Sequence, residues 1–71
     1  MARDYGAAAG AAFNGEPGTG IWKVWLSRGH HRDTVTVYWC GGGRTVLRVA
    51  IGSGWDCAQQ IARHGLQRAE V

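Results

Sequence analysis

Long apolar runs are missing from this 71-residue chain. None approaches the roughly 18 residues that a membrane-spanning helix needs, so no membrane partner is expected. Cysteine is scarce: Cys40 and Cys57 stand alone, whereas a secreted mini-protein of this size usually carries about four to eight. They read as reduced thiols of a cytoplasmic protein, with one Cys40–Cys57 disulfide as the alternative. A zinc site drawn from these two and His30, His31 and His64 lacks any C-x2-C or H-x3-H spacing, and no metal or cofactor is expected. Charge is thin: eight Lys+Arg against five Asp+Glu leave +3, too little for a disordered polybasic tail. The N-terminus, MARDYGAAAGAAFNG, carries Asp4 and no apolar core, so no secretory signal is expected. At this length a multidomain enzyme is not expected.

Enzyme motifs are missing too. There is no G-x-S-x-G, no Walker loop and no H-E-x-x-H. GGGRT (41–45) has the look of a phosphate loop, but it lies between two strand-like runs, whereas a phosphate cradle feeds a helix N-terminus. A core this small does not easily hold a preorganised cleft. The expectation is a non-catalytic binding protein.

What the chain does have is glycine, twelve of them, and four tryptophans. Residues 1–20 are Ala/Gly-rich and end in the connector GEPGTG (15–20). Tyr5, Ala8, Ala9, Ala12 and Phe13 fall at helical spacing, so this segment forms either a short helix over 3–13 or a loose arm that orders on a partner. Residues 21–71 read as a βββα domain. Ile21–Ser27, Thr34–Cys40 and Arg44–Ile51 are rich in β-branched and aromatic residues. Gly41-Gly42-Gly43 makes a tight hairpin turn and 28–33 a longer basic loop, giving an antiparallel meander.

The two-residue period assigns the faces. Trp22, Val24, Leu26, Val35, Val37, Trp39, Leu47, Val49 and Ile51 form an apolar side that must be covered. Lys23, Trp25, Thr34, Thr36, Tyr38, Cys40, Arg44, Arg48 and Ala50 form the other. The cover is a C-terminal helix. Ser53 and Asp56 make a capping-box pattern, and Trp55, Ala58, Ile61, Ala62, Gly65, Leu66 and Ala69 recur at three and four. Gly65 either belongs to this stripe or breaks the helix. The expected fold is an α+β two-layer sandwich: a three-stranded antiparallel meander packed on a C-terminal helix.

The open side sets Lys23, Arg44 and Arg48 among Trp25 and Tyr38, and the first loop adds Arg28, His30, His31 and Arg32. Rings stack on bases and cations neutralise phosphates, so these nine residues are the candidate binding surface.

GHHRDTVTV (29–37), the Gly-Gly turn and IGSGWDCAQQIARHGL (51–66) together resemble the double-stranded-RNA-binding domain over about 29–66. That family implies RNA contacts from a first helix, from the first strand–strand loop, where His30 or His31 matches the loop His, and from a Lys pair opening the last helix. Trp55 and Asp56 stand at that last place, so the phosphate grip does not carry over. WDCAQQIAR (55–63) is similar to the helix start of the plant ethylene-response-factor DNA-binding domain and of the arm-binding domain of phage integrases. Those families imply a sheet face in the DNA major groove, here Lys23, Trp25, Tyr38, Arg44 and Arg48.

Two functions are therefore expected to compete. One is nucleic-acid binding, to a DNA or RNA duplex, through the open face and the 28–32 loop. The other is a phage or mobile-element inhibitor or adaptor, of the anti-CRISPR kind, that binds a host protein or nucleoprotein complex through the same aromatic residues. The second reading takes the chain, beginning at Met1, as complete. A homodimer burying the open face fits either.

Overall fold

The computed structural model describes residues 10–66. The expected helix positions Tyr5, Ala8 and Ala9, and Ala69 at the other end, lie outside the described residues. The elements run β1 (Gly10–Asn14), β2 (Ile21–Ser27), β3 (Arg32–Trp39), β4 (Arg44–Ala50) and α1 (Gly54–His64). All four strands make one antiparallel sheet in sequence order. The sheet thus has four strands rather than three. Residues 10–14, expected at the end of a helix or in an arm, pair with β2 from Gly10↔Ser27 to Asn14↔Lys23. Helical spacing of Ala12 and Phe13 misled because alanine is compatible with both periods, while Ala11 and Phe13 also alternate inward.

The core is Ile21, Val24, Leu26, Val35 and Val37 of the sheet against Ala58, Ile61 and Ala62 of α1. Burying each of the larger side chains contributes about 1.5–3 kcal/mol. Leu47, Val49, Trp39 and Phe13 pack at its margin. The Trp39 indole N–H donates to Thr45 Oγ1 at 2.9 Å, which satisfies its polar end. Small residues on α1 let the helix lie close, chiefly over β2.

Two of the nine residues assigned to the covered side are not there. Trp22 is 59% exposed and Ile51 46%. The ladder between β2 and β3 shifts register between Ile21 and Lys23, so two residues of β2 face one of β3. That β-bulge turns Trp22 outward and drops Ile21 into the core in its place. Ile51 lies past the end of β4, in a turn. Trp55, expected on the buried stripe, is 43% exposed and sets its ring edge-on to Phe13 at 5.2 Å.

The turns follow glycine chemistry. Gly42 and Gly43 take φ of 103° and 84°, which a side chain would resist. Gly42 N–H donates to Trp39 O at 3.0 Å and closes the hairpin. Helix α1 ends at His64: Gly65, at φ 90°, donates its N–H to Ile61 O at 2.8 Å. Gly65 is thus the break, and the stripe does not run on as helix through Leu66.

The start of α1 departs from the expected capping box. Ser53 occupies the N-cap but makes no side-chain cap bond. Asp33, in β3 and fully buried, supplies the acceptor instead. Its Oδ2 accepts the N–H groups of Gly52 and Gly54, each at 3.0 Å. A carboxylate at this end also complements the helix dipole. Its Oδ1 has no hydrogen-bond partner among the described residues and faces Arg28 Nε at 3.6 Å. Gly54 is what allows this approach: a Cβ there would run into Leu26 Cδ1 and stand 2.7 Å from Asp33 Cβ.

Candidate functional site

The register lays out the open face of the sheet in rows. Asn14, Lys23, Tyr38 and Arg44 face one another across the four strands. Ala12, Trp25, Thr36 and Val46 make the next row, and Gly10, Ser27, Thr34 and Arg48 the third. Arg32 and Ala50 pair beyond it. Helix α1 lies against the other side, and no helix or strand among the described residues roofs these rows, although Thr36 in the second row is itself buried.

Aromatic groups hold the middle. Trp25 is 41% exposed, and its indole N–H donates to Ser27 Oγ at 3.2 Å. The ring lies over Gly10, where a Cβ would come within 2.7 Å of it. Glycine in β1 therefore makes room for the indole. Trp22 meets Tyr38 edge-on at 6.3 Å between centroids. The Lys23 ammonium sits 4.9 Å from the Trp22 ring centre, a cation–π contact. Val46, 54% exposed, adds an apolar spot.

Charge is one-sided. Lys23, Arg32, Arg44 and Arg48 stand on this face. The acidic residues among the described ones are elsewhere: Glu16 in the β1–β2 connection, Asp33 under the helix, Asp56 on α1. Of the nine candidate residues, eight are placed on or beside the open face. Arg28 is the exception: it turns toward the buried Asp33 carboxylate. Beside the β2–β3 loop, Gly29, His30, His31, Arg32, Thr34 and Arg48 line a depression of about 360 Å³. That loop is shorter than expected, because β3 begins at Arg32.

Trp22 and Val46 were missed. Val46 was legible, since it lies midway between Arg44 and Arg48. Trp22 needs the bulge, and the adjacent apolar pair Ile21-Trp22 was its only trace. A helix ahead of the strands, the first RNA contact implied by the double-stranded-RNA-binding resemblance, has no counterpart among the described residues, where β1 leads into β2.

A second depression, about 300 Å³, lies between β1 and α1 and brings Phe13, Asn14, Glu16, Gln59 and Arg63 together. Its mixed charge suits no single anion or cation. Among the described residues no cluster of His, Cys, Asp and Glu is arranged to hold a metal ion. Nor is any helix among them long and apolar enough to cross a membrane.

Both thiols are free, Cys40 exposed and Cys57 half-buried on α1. Burial pushes the Cys57 thiol up from its ordinary value. Because the thiolate is the nucleophile, Cys57 stays protonated and slow at neutral pH. Brief maleimide treatment of the folded chain at pH 7 should therefore give one adduct, mapped to Cys40 by mass spectrometry. Cys57 should follow only at alkaline pH or in urea. Equal labelling of both in the native chain would contradict this placement.

No protein-family profile, curated protein or solved structure matches the chain.

Proposed function

We propose that this chain is a small non-catalytic module that binds nucleic acid through the open face of its sheet. One observation carries the reading. Lys23, Arg32, Arg44 and Arg48 share that face with Trp22, Trp25 and Tyr38, and none of the described acidic residues stands on it. Cations at the margins neutralise phosphates while exposed rings offer stacking surfaces. The ring positions are held in advance: Trp25 by Ser27 and Gly10, Trp22 by Tyr38 and Lys23. Preorganised side chains lose little entropy on binding. A helix behind a sheet whose far face reads nucleic acid is also the layout of the ethylene-response-factor and integrase arm-binding families that the sequence resembles. Free thiols fit a cytoplasmic setting.

Fluorescence anisotropy with duplex DNA, duplex RNA and single strands tests the proposal. At low salt at least one of these should bind with Kd well below 10⁻⁴ M, a level that non-specific binders reach. No binding tighter than about that value would overturn it.

A second reading is favoured by the apolar exposure in the middle of the same face, at Trp22, Trp25 and Val46. Aromatic anchors of this kind suit a protein partner, and the chain would then be an inhibitor or adaptor acting on a host protein or nucleoprotein complex. Such binding would be largely salt-resistant, which separates it from the first reading.

A further inference from the structure

The open face ends, at the β2–β3 loop, in the depression lined by Gly29, His30, His31, Arg32, Thr34 and Arg48. We infer that this depression takes the terminal phosphate monoester of a single-stranded oligonucleotide whose adjoining base lies on Trp25. The inference rests on reading the open face as a nucleic-acid surface and adds which group ends there.

The first argument is charge. Two guanidinium groups and two imidazoles line the depression with no carboxylate among them. Arg32 and Arg48 have no ion-pair partner among the described residues. The carboxylate next in sequence, Asp33, projects from the opposite side of β3, where it holds Gly52, Gly54 and Arg28. Like charges gathered without a counter-ion repel one another, and a bound anion removes that repulsion. Guanidinium groups pair with phosphate through two parallel N–H bonds, and the Thr34 hydroxyl supplies a further donor.

The second argument is shape. At about 360 Å³ the depression falls within the range of small-ligand sites, roughly 300–1,000 Å³. Loop residues 29–31 line the part of it that lies beyond the third row. Gly29 is needed for the loop to take this course, because a Cβ there would run into the Arg32 carbonyl oxygen. A nucleic-acid strand that crosses the rows in the direction of β2 and β3 therefore meets the loop beyond the third row. A chain end fits there. A monoester also carries up to about two charges and three free oxygens, against one charge for an internal diester, so a two-arginine site distinguishes them.

The third argument is position. Ser27, which holds the Trp25 indole, pairs directly with Thr34, and Thr34 with Arg48. The stacking ring and the phosphate donors are thus neighbours across paired strands. Rings engage unstacked bases, which single strands offer and duplexes do not.

The test compares one fluorescent oligothymidine in three forms: with a 5′-phosphate, with a 3′-phosphate, and with hydroxyls at both ends. One phosphorylated form should bind about tenfold tighter than the hydroxyl form, as expected for added charge-assisted hydrogen bonds. The Arg32→Gln, Arg48→Gln double variant should abolish that preference, whereas Lys23→Gln should weaken all three forms alike. Unchanged urea midpoints for these surface variants exclude misfolding. Titration with inorganic phosphate, followed by NMR, should shift amides confined to residues 29–34 and 48. Equal affinity for the three forms, or phosphate shifts scattered over all the cations, overturns this inference and leaves the open-face reading standing. If none of the three forms nor any duplex binds, both fall together.

Discussion

An Asp33→Ala chain is expected to lose about 3–5 kcal/mol of folding stability, the range seen when one partner of a buried charged network is removed. The size of the loss follows from what the carboxylate does. Its Oδ2 satisfies the Gly52 and Gly54 N–H groups, and Gly54 is itself buried. Hydrogen bonds to a charged acceptor contribute about 1.5–3 kcal/mol each, and a buried donor left unpaired adds its desolvation penalty. A domain of this length has a total stability of only about 4–10 kcal/mol. The variant should therefore be partly unfolded at room temperature, or show a urea midpoint reduced by a third or more. Asp33→Asn, which keeps one carbonyl oxygen for the same two donors, should fall between the variant and the parent. A midpoint unchanged in Asp33→Ala would show that α1 is held by its apolar stripe alone.

The Lys23→Glu, Arg48→Glu double reversal should lower nucleic-acid affinity at least 100-fold, roughly, at moderate salt. It takes the open face from four positive charges (Lys23, Arg32, Arg44, Arg48) to two positive and two negative. The parent chain should also show the matching salt dependence. Each phosphate contact contributes a slope of about −0.7 to −0.9, so four contacts predict about −3, or roughly a 50- to 150-fold loss between 50 and 200 mM salt. Both side chains are outside the core, so folding should not change. The protein-partner reading predicts the opposite pattern. There the charge reversal should cost little and the salt series should be nearly flat, while Trp25→Ala removes about 2 kcal/mol or more of binding. Under the nucleic-acid reading Trp25→Ala also weakens binding, by about 1–3 kcal/mol of lost stacking, so the charge reversal and the salt series are what differ. One double variant and one salt series thus separate the two readings.

Much of this was legible in the residues, for physical reasons. The run Thr34–Trp39 alternates without ambiguity, so Val35 and Val37 are buried and Tyr38 is on the open side. Three consecutive glycines between two such runs leave only a tight turn. α1 was readable because Ala58, Ile61 and Ala62 repeat at helical spacing between polar glutamines. What escaped were features set by pairing between distant segments. β1 is alanine-rich, and alanine takes its conformation from its neighbours; only the free edge of β2 makes 10–14 a strand. The bulge at Trp22 depends on the register against β3. Arg28 looked like a loop cation, and its attraction to Asp33 appears only once β3 buries that carboxylate. The same holds for the helix cap: Ser53 and Asp56 fit the local pattern, but a group 21 positions from Gly54 in sequence does the work.

Arg32, Asp33 and Thr34 are consecutive, and the pleat sends the first and third one way and the second the other. Slippage of β3 by a single position would swap them. It would put a carboxylate where the anion is proposed to sit, and push a guanidinium or a hydroxyl, depending on the direction of the slip, beneath the first turn of α1. Neither exchange is tolerable, so these three residues act as a ratchet tooth that admits one alignment of the hairpin. Any redesign of ligand preference at 32 or 34 accordingly has to leave 33 alone.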